Sequence, residues 1–261
     1  MEFPSYDLLG VKVSAIQIPN ILAQIQTWIN SRSWGHYIIV ANTHVLMESR
    51  VNAGLSEAIG QASMVIPDGM PLVVVGRMRG FSLPRRAYGP DLLVAALAES
   101  NEKGWRHYFY GSTPQILAGM QKQIHIQWSQ VEIAGMLSPP FRNLSAQEDQ
   151  AVVAQINSAK PDILWVGLGC PKQECWIAEH QHQLNVPVML GVGQAFDILA
   201  GAKAEAPTWV QSNGLEWFFR LIQEPRRLWK RYLIYGPQFI YLAAREQITY
   251  WRSDRNKSQD I

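Results

Sequence analysis

Short β-branched or aromatic runs take turns with stretches of helical period along most of this chain, and that alternation constrains the fold more than any other feature. Runs at Tyr37–Val40, Met64–Ile66, His107–Tyr110, Val131–Ala134, Ile163–Val166 and Val186–Leu190 read as strands. Between them the spacing predicts helices over Leu92–Lys103, Pro114–Trp128, Ser145–Ala159 and Cys175–Leu184. Start signals support several of these: Pro90-Asp91, Thr113-Pro114, and Ser145 with Glu148 three residues on, the spacing of a capping box. Such alternation builds a parallel sheet covered by helices on both faces, so the expected fold is α/β and Rossmann-like. No internal repeat or long linker interrupts it.

Composition narrows the class further. The 261 residues are 48% hydrophobic and 17% charged, which excludes disorder, coiled coil and low complexity. A net charge of +2 gives no general field for nucleic acid, and no nucleic-acid partner is expected. Two cysteines, Cys170 and Cys175, fit neither a disulfide scaffold nor a C-x-x-C site, and a reducing compartment suits them best. The first residues carry an acid and no apolar core, so no signal peptide is expected, and no run approaches the roughly 20 apolar residues of a spanning helix.

In a sheet of this kind ligands bind where strands end and helices begin. The strand ends read Ala41-Asn42-Thr43-His44, Pro67-Asp68-Gly69-Met70-Pro71, Gly111-Ser112-Thr113-Pro114, Gly167-Leu168-Gly169-Cys170-Pro171-Lys172-Gln173-Glu174 and Gly191-Val192-Gly193-Gln194-Ala195-Phe196-Asp197. Glycine admits a close ligand, and a helix N-terminus offers free N–H groups to an anion, which points to a nucleotide or sugar-phosphate site. The competing reading is that these glycines only turn a strand into a helix. Gly167-x-Gly169 and Gly191-x-Gly193 both lack the third glycine of the dinucleotide fingerprint, so a nicotinamide or flavin oxidoreductase is disfavoured. There is no Walker-type loop, no D-x-D and no tight histidine pattern, so a metal-bridged diphosphate is not expected. A leaving diphosphate would then need backbone amides, helix dipoles and arginines.

Arginines cluster near the C-terminus. Between positions 220 and 231 five basic residues face one acid, a local charge of +4, and positions 209–251 hold 11 of the 27 aromatics. Basic residues mixed with Trp and Tyr suit a helix lying at a membrane surface; a helical subdomain with an aromatic core and a solvated charged face is the alternative. A non-catalytic membrane scaffold would account for this segment but not for Asp68 beside three glycine-rich strand ends.

The ordered motifs Pro67-Asp68-Gly69-x-Pro71, Arg77-x-x-Gly80, Gly89-x-Asp91-Leu92, Val166-Gly167-Leu168-Gly169-x-Pro171-Lys172-Gln173-Glu174-x-Trp176, Gly191-Val192-Gly193-x-x-Phe196-Asp197, Ala206-Pro207-x-Trp209 and Gly214-Leu215-Glu216-Trp217-x-x-Arg220-Leu221-x-x-Glu224-Pro225-Arg226-Arg227 resemble the WecG/TagA/CpsF glycosyltransferases. The resemblance runs in order from about Asn42 to about Tyr232. It implies an inverting transfer, without cofactor or metal, of a sugar from a UDP-sugar donor to a polyprenyl-diphosphate-linked sugar acceptor during bacterial surface polysaccharide synthesis. N-acetylmannosamine or a derivative is the typical donor sugar, with glucose or another hexose as the alternative. It also implies a cytoplasmic enzyme, peripheral on the inner face of the membrane, that tends to self-associate as a homo-oligomer.

Residue by residue, the resemblance makes Asp68 the general base, where the plain alternative is a helix N-cap. Asn42 and Gln173 become pocket amides, against capping and loop hydrogen bonds. The family often has Thr two positions before this Asn; here Val40 stands there, so that a substrate contact is either lost or supplied by the adjacent Thr43. Gly111, Gly167, Gly169, Gly191 and Gly193 line the UDP site, with Asp197 holding ribose or capping a helix. Arg220, Arg227 and Lys230 or Arg231 close over the site and stabilise the diphosphate. Glu205, where the family commonly has Arg or Gln, is assigned no role. The expected division is a catalytic core over 1–211 and a C-terminal helical, basic and aromatic appendage over 212–261.

Overall fold

A computed structural model describes residues 3–204, 206, 207, 210 and 216–257. The chain opens with an antiparallel hairpin, β1 (Ser5–Leu8) and β2 (Val11–Ser14). Its two-residue turn, Leu9 and Gly10, has φ of 52° and 82°, the left-handed pair that matches the twist of the flanking strands. There follow α1 (Ile18–Asn30), β3 (His36–Ala41), α2 (Thr43–Ser49), α3 (Ala53–Gln61), β4 (Met64–Pro67), α4 (Met70–Met78) and α5 (Gly89–Lys103). The second half runs β5 (Arg106–Gly111), α6 (Pro114–Gln127), β6 (Glu132–Leu137), α7 (Ala146–Ala159), β7 (Ile163–Gly167), α8 (Lys172–His180), β8 (Val188–Gly191) and α9 (Ala195–Leu199).

The six strands β3 to β8 form one sheet in the order β4-β3-β8-β7-β5-β6, with every neighbouring pair parallel. Successive side chains of a strand point to opposite faces, and the core divides accordingly. Tyr37, Ile39, Val65, Tyr108, Tyr110 and Leu164 enter one apolar cluster, while Ile38, Val40, Ile66, Phe109, Ile163 and Trp165 enter the other. Both clusters are sealed by helices, which is why the strands read as continuous apolar runs rather than as alternation. This is the α/β parallel sheet that the sequence pattern implies.

All six expected strands and all four expected helices are present, with ends moved by a few residues. The capping box at Ser145 is formed in both directions: Glu148 N donates to Ser145 Oγ at 3.3 Å, and Ser145 N donates to Glu148 Oε2 at 2.8 Å. The hairpin and helices α1 to α4 were not among the expectations. Helices α2 and α3 are only 7 and 9 residues long, too short to display a period. Helix α4 contains Val73-Val74-Val75, a β-branched run that local preference would place in a strand. Pro71 in its first turn, and burial of Leu72, Val73 and Val75 against the sheet, make it helical instead.

The C-terminal region continues as α10 (Glu216–Gln223), α11 (Pro225–Trp229), one π-helical turn (Lys230–Tyr235) and α12 (Gly236–Lys257). It is joined to the rest through side chains. Phe239 and Ala243 of α12 lie in the same apolar cluster as Leu72 and Val75 of α4. Arg79, just past α4, donates to Glu246 at 2.7 Å, and Leu9 N in the hairpin turn donates to the other carboxylate oxygen at 2.8 Å. The expected 211/212 boundary, with Glu205, Trp209, Gly214 and Leu215, falls outside the described residues. Among the described residues no helix is long and apolar enough to cross a membrane.

Candidate active site

Strand order positions the site. From β3 the chain moves outward to β4 on one side, and β8 arrives from β7 on the other, so connections diverge at the β3/β8 boundary. The carboxyl ends of β4, β3, β8 and β7 surround that switch point, where open α/β sheets bind ligands. They bring together Asp68, Asn42, Gly191, Gly193, Gly169 and Gln173 around a polar cavity of about 380 Å³.

Asp68 follows the last residue of β4 and is almost fully buried. Its Oδ1 accepts from Gly89 N at 2.8 Å and its Oδ2 from Asn42 Nδ2 at 3.2 Å. The carboxylate thus sits at a helix N-terminus, but that of α5, 21 residues on, while Gly69 occupies the cap position of the adjoining α4. Burial raises the Asp68 pKa above the ordinary carboxylate value, against the opposing pull of the Gly89 hydrogen bond, Arg86, Asn42 and Arg220.

Asn42 lines the cavity and also caps a helix. As N-cap of α2, its Oδ1 accepts from His44 N at 3.1 Å and Val45 N at 3.4 Å, while its amide nitrogen is left to orient Asp68. The same Oδ1 accepts from Arg231 Nη2 at 3.0 Å, so the C-terminal segment is bonded into the centre of the site. His44, beside Arg231, has its pKa lowered to about 4 by burial first and that guanidinium second, and stays neutral at neutral pH. The positive charge of the cluster therefore comes from arginine.

Gln173 is buried at the start of α8, its Oε1 accepting from Gly169 N at 3.0 Å and its Nε2 donating to Glu174 Oε1 at 2.8 Å. Gly191 has a steric reason to be glycine: a Cβ there would stand 2.9 Å from Gln173 Cγ and Nε2. Gly111 and Gly167 do not line the cavity. A Cβ on Gly111 would meet the Gly167 carbonyl at 2.5 Å, and one on Gly167 the Phe196 ring at 2.7 Å, so both are taken up by strand-to-strand and strand-to-helix packing. Gly111 ends β5, which lies beyond β7 from the switch point. Asp197 is also outside the walls and is paired with Lys203 at 2.9 Å.

The C-terminal basic residues divide by position. Arg220 donates to Gln194 Oε1, Arg227 pairs with Glu224, and Lys230 sits 5.9 Å from the centroid of the Tyr235 ring; all three line the polar cavity. Thr43, first residue of α2, faces a second and larger cavity of about 760 Å³ between α4 and α12. That one is walled mainly by apolar side chains. The two cavities share Asn42, His44, Asp68, Arg220 and Arg231, so Asp68 stands at the junction of a polar and an apolar compartment.

Sequence reasoning missed two charged members of this site. Arg86 reaches the apolar compartment near Asp68, with its guanidinium 3.8 Å over the Tyr88 ring. It lies in the loop before α5, away from any strand end, and the Arg85-Arg86 pair just before Gly89 was its only signal. Glu174 is 1% exposed in the polar cavity with Oε2 lacking a protein partner, and burial raises its pKa.

Two buried carboxylates, Asp68 and Glu174, with Arg220, Arg227 and Arg231 on the walls of a cleft at the parallel-sheet switch point, make a candidate ligand site of this fold. The chain belongs to the Glycosyl transferase WecG/TagA/CpsF family, whose sequence profile matches residues 6–253, and is thus a glycosyltransferase. It is 29% identical over 213 residues to a protein of Bacillus subtilis, covering 82% of this chain and 80% of that one. It is 28% identical over 240 residues to one of Staphylococcus aureus, covering 92% of each. Both relatives are named N-acetylglucosaminyldiphosphoundecaprenol N-acetyl-beta-D-mannosaminyltransferase.

Proposed function

We propose that this chain transfers N-acetylmannosamine, or a derivative of it, from a UDP-sugar to an N-acetylglucosamine carried on a polyprenyl diphosphate, inverting the anomeric centre, in bacterial surface polysaccharide synthesis. The observation that carries this is the position of Asp68 at the junction of the two compartments, beside Arg220 and Arg231. The names of the relatives support the sugar and the acceptor.

The UDP-sugar occupies the polar compartment, with its diphosphate toward Arg220, Arg227, Lys230 and Arg231. The acceptor enters from the apolar side. Its hydroxyl oxygen attacks the anomeric carbon, the bond from that carbon to the diphosphate oxygen breaks, and the hydroxyl proton passes to Asp68. UDP leaves with its charge met by guanidinium groups, which take the place a metal ion has in other transferases. Asn42 and Gly89 N–H hold the carboxylate in one orientation, a condition for base catalysis.

Residues 1–211 form the catalytic core and 212–261 an appendage that completes the site and meets the cytoplasmic face of the membrane. The bond from Arg231 to Asn42 supports the first role of the appendage, and the exposed Trp217, Phe218, Trp229 and Trp251 support the second. Asp68→Asn is the test. It should bind the UDP-sugar as wild type does, by calorimetry, and lose about 10²- to 10⁴-fold in turnover. Wild-type turnover would remove Asp68 from the base role.

A further inference from the structure

The apolar compartment has a shape and a polarity gradient that membrane docking alone does not require. On one wall Met70, Val74 and Met78 recur at helical spacing along α4. On the other, Gly236, Ile240 and Ala244 recur in the same way along α12. Val74 is 45% exposed, Met78 46% and Ile240 66%, so large apolar groups face an open trough from both sides. The floor is sealed by buried Val75 and Phe239. Small residues keep the walls apart: a Cβ added at Gly236 would meet nothing within 4 Å, and Ala243 and Ala244 present only methyl groups.

Most of its polar groups gather at one end, and buried Gln247 lies past Ala244 at the other. At the first end the trough meets Asn42, Asp68, Arg86, Arg220 and Arg231, the groups it shares with or holds close to the polar cavity. The end at Asp68 is therefore cationic, and the walls between it and Gln247 are hydrocarbon. Side chains meant only to enter a bilayer would point outward from the surface. These instead line facing walls of a channel that ends on the base.

We infer that the trough between α4 and α12 is a binding site for the diphosphate-proximal prenyl units of the acceptor, so that the protein draws the first part of the lipid tail out of the bilayer. This rests on the transfer proposed above. The acceptor's diphosphate sits by Arg86, which lines the trough but not the polar cavity, while Arg220 and Arg231 stay with the donor; the acceptor sugar reaches Asp68, and the adjoining hydrocarbon runs along the trough. Contact with the tail selects a prenyl-linked acceptor over a free sugar diphosphate and fixes the angle at which its hydroxyl meets the base.

The test uses the full chain in buffer free of membrane and detergent, with UDP-N-acetylmannosamine and N-acetylglucosamine diphosphates bearing zero, one, two, three or five prenyl units, read by UDP release. Acceptor kcat/KM should rise at least tenfold for each of the first units and then level off as the trough fills. Tenfold is about 1.4 kcal/mol, the burial of about two methylenes. Ala244→Phe should abolish most of that rise while leaving donor KM and turnover of the prenyl-free acceptor unchanged. Ile248→Phe, on the same helix but outside the trough, should keep the rise. Equal kcat/KM at every chain length, with a length dependence appearing only on lipid vesicles, would put the tail in the bilayer and overturn the inference while the transfer reaction stood. Should no acceptor release UDP, the proposed transfer fails, and calorimetry with farnesyl diphosphate decides the trough. Weaker binding in Ala244→Phe than in wild type sustains it, and equal binding overturns it.

Discussion

One carboxylate, Glu246, ties together three segments that are far apart in the chain, and its replacement by Ala should loosen the wall of the active site without touching the chemistry. Its Oε1 accepts from Arg79 Nη2 at 2.7 Å and its Oε2 from Leu9 N at 2.8 Å, joining α12, the end of α4 and the β1–β2 turn. The Arg79 side chain is 5% exposed and that of Glu246 32%. Stripping the partner from a fully buried charge pair costs about 3–5 kcal/mol. Water reaches Glu246, and Arg79 keeps Gln247 Oε1 at 3.2 Å and the Tyr250 ring at 5.1 Å, so the loss is smaller. About 1–2 kcal/mol for the ion pair and about 1 kcal/mol for the Leu9 hydrogen bond give a total of roughly 2–3 kcal/mol. Urea unfolding monitored by circular dichroism would measure it. A double-mutant cycle with Arg79→Ala should return the ion-pair share as a coupling energy. Hydrogen exchange across 236–257 should speed up, and acceptor KM should rise while donor KM holds. Stability within about 0.5 kcal/mol of wild type, with unchanged exchange along α12, would show that the latch carries no load and refute the reasoning.

Three further outcomes can be checked. Asp68 must be ionised to act as base, and burial raises its pKa, so the acid limb of kcat/KM should lie above the ordinary aspartate value of 3.8; Arg86→Ala removes one of the charges pulling that pKa down and should move the limb higher still. His107 is wholly buried, its Nδ1 accepting from Trp165 Nε1 at 2.9 Å, and its pKa is lowered by burial to about 3, so its contribution to stability is complete above about 6.5 and is lost as pH falls through about 3. His36 and His44 act in the same direction, so a urea midpoint that stays constant between pH 6.5 and 4 would contradict this. Gly191→Ala places a methyl group 2.9 Å from Gln173 and should cost about 1–2 kcal/mol in UDP-sugar affinity by calorimetry, with acceptor KM unchanged; undiminished donor binding would separate Gln173 from the donor site.

Local signals determined the frame of this protein. Six runs such as Ile163–Val166 are legible as strands because both faces of a parallel sheet are covered, which leaves an apolar signature within a few consecutive residues. That Asp68, Asn42 and Gln173 share one cavity was legible because Asn42 and Asp68 directly follow β3 and β4 and Gln173 opens the helix after β7, where open α/β sheets bind ligands. The family motifs sharpened their roles, and the basic cluster of positions 220–231 stood out against a net charge of only +2.

Tertiary structure decided which of these residues share a space. Five glycines looked alike as strand ends, yet Gly169, Gly191 and Gly193 face the cavity, while Gly111 and Gly167 are consumed by packing against each other and against Phe196. Sequence spacing carries no information about strand order, and it is strand order that puts β5 on the far side of β7. Arg86, Glu246 and the trough between α4 and α12 depend on contacts spanning up to 237 residues, as between Leu9 and Glu246. A local pattern reports only what a residue does to its own segment. The meeting of Arg231 with Asn42, 189 positions away, follows from how the whole chain closes around the sheet, and it brings the C-terminal segment to the cavity wall.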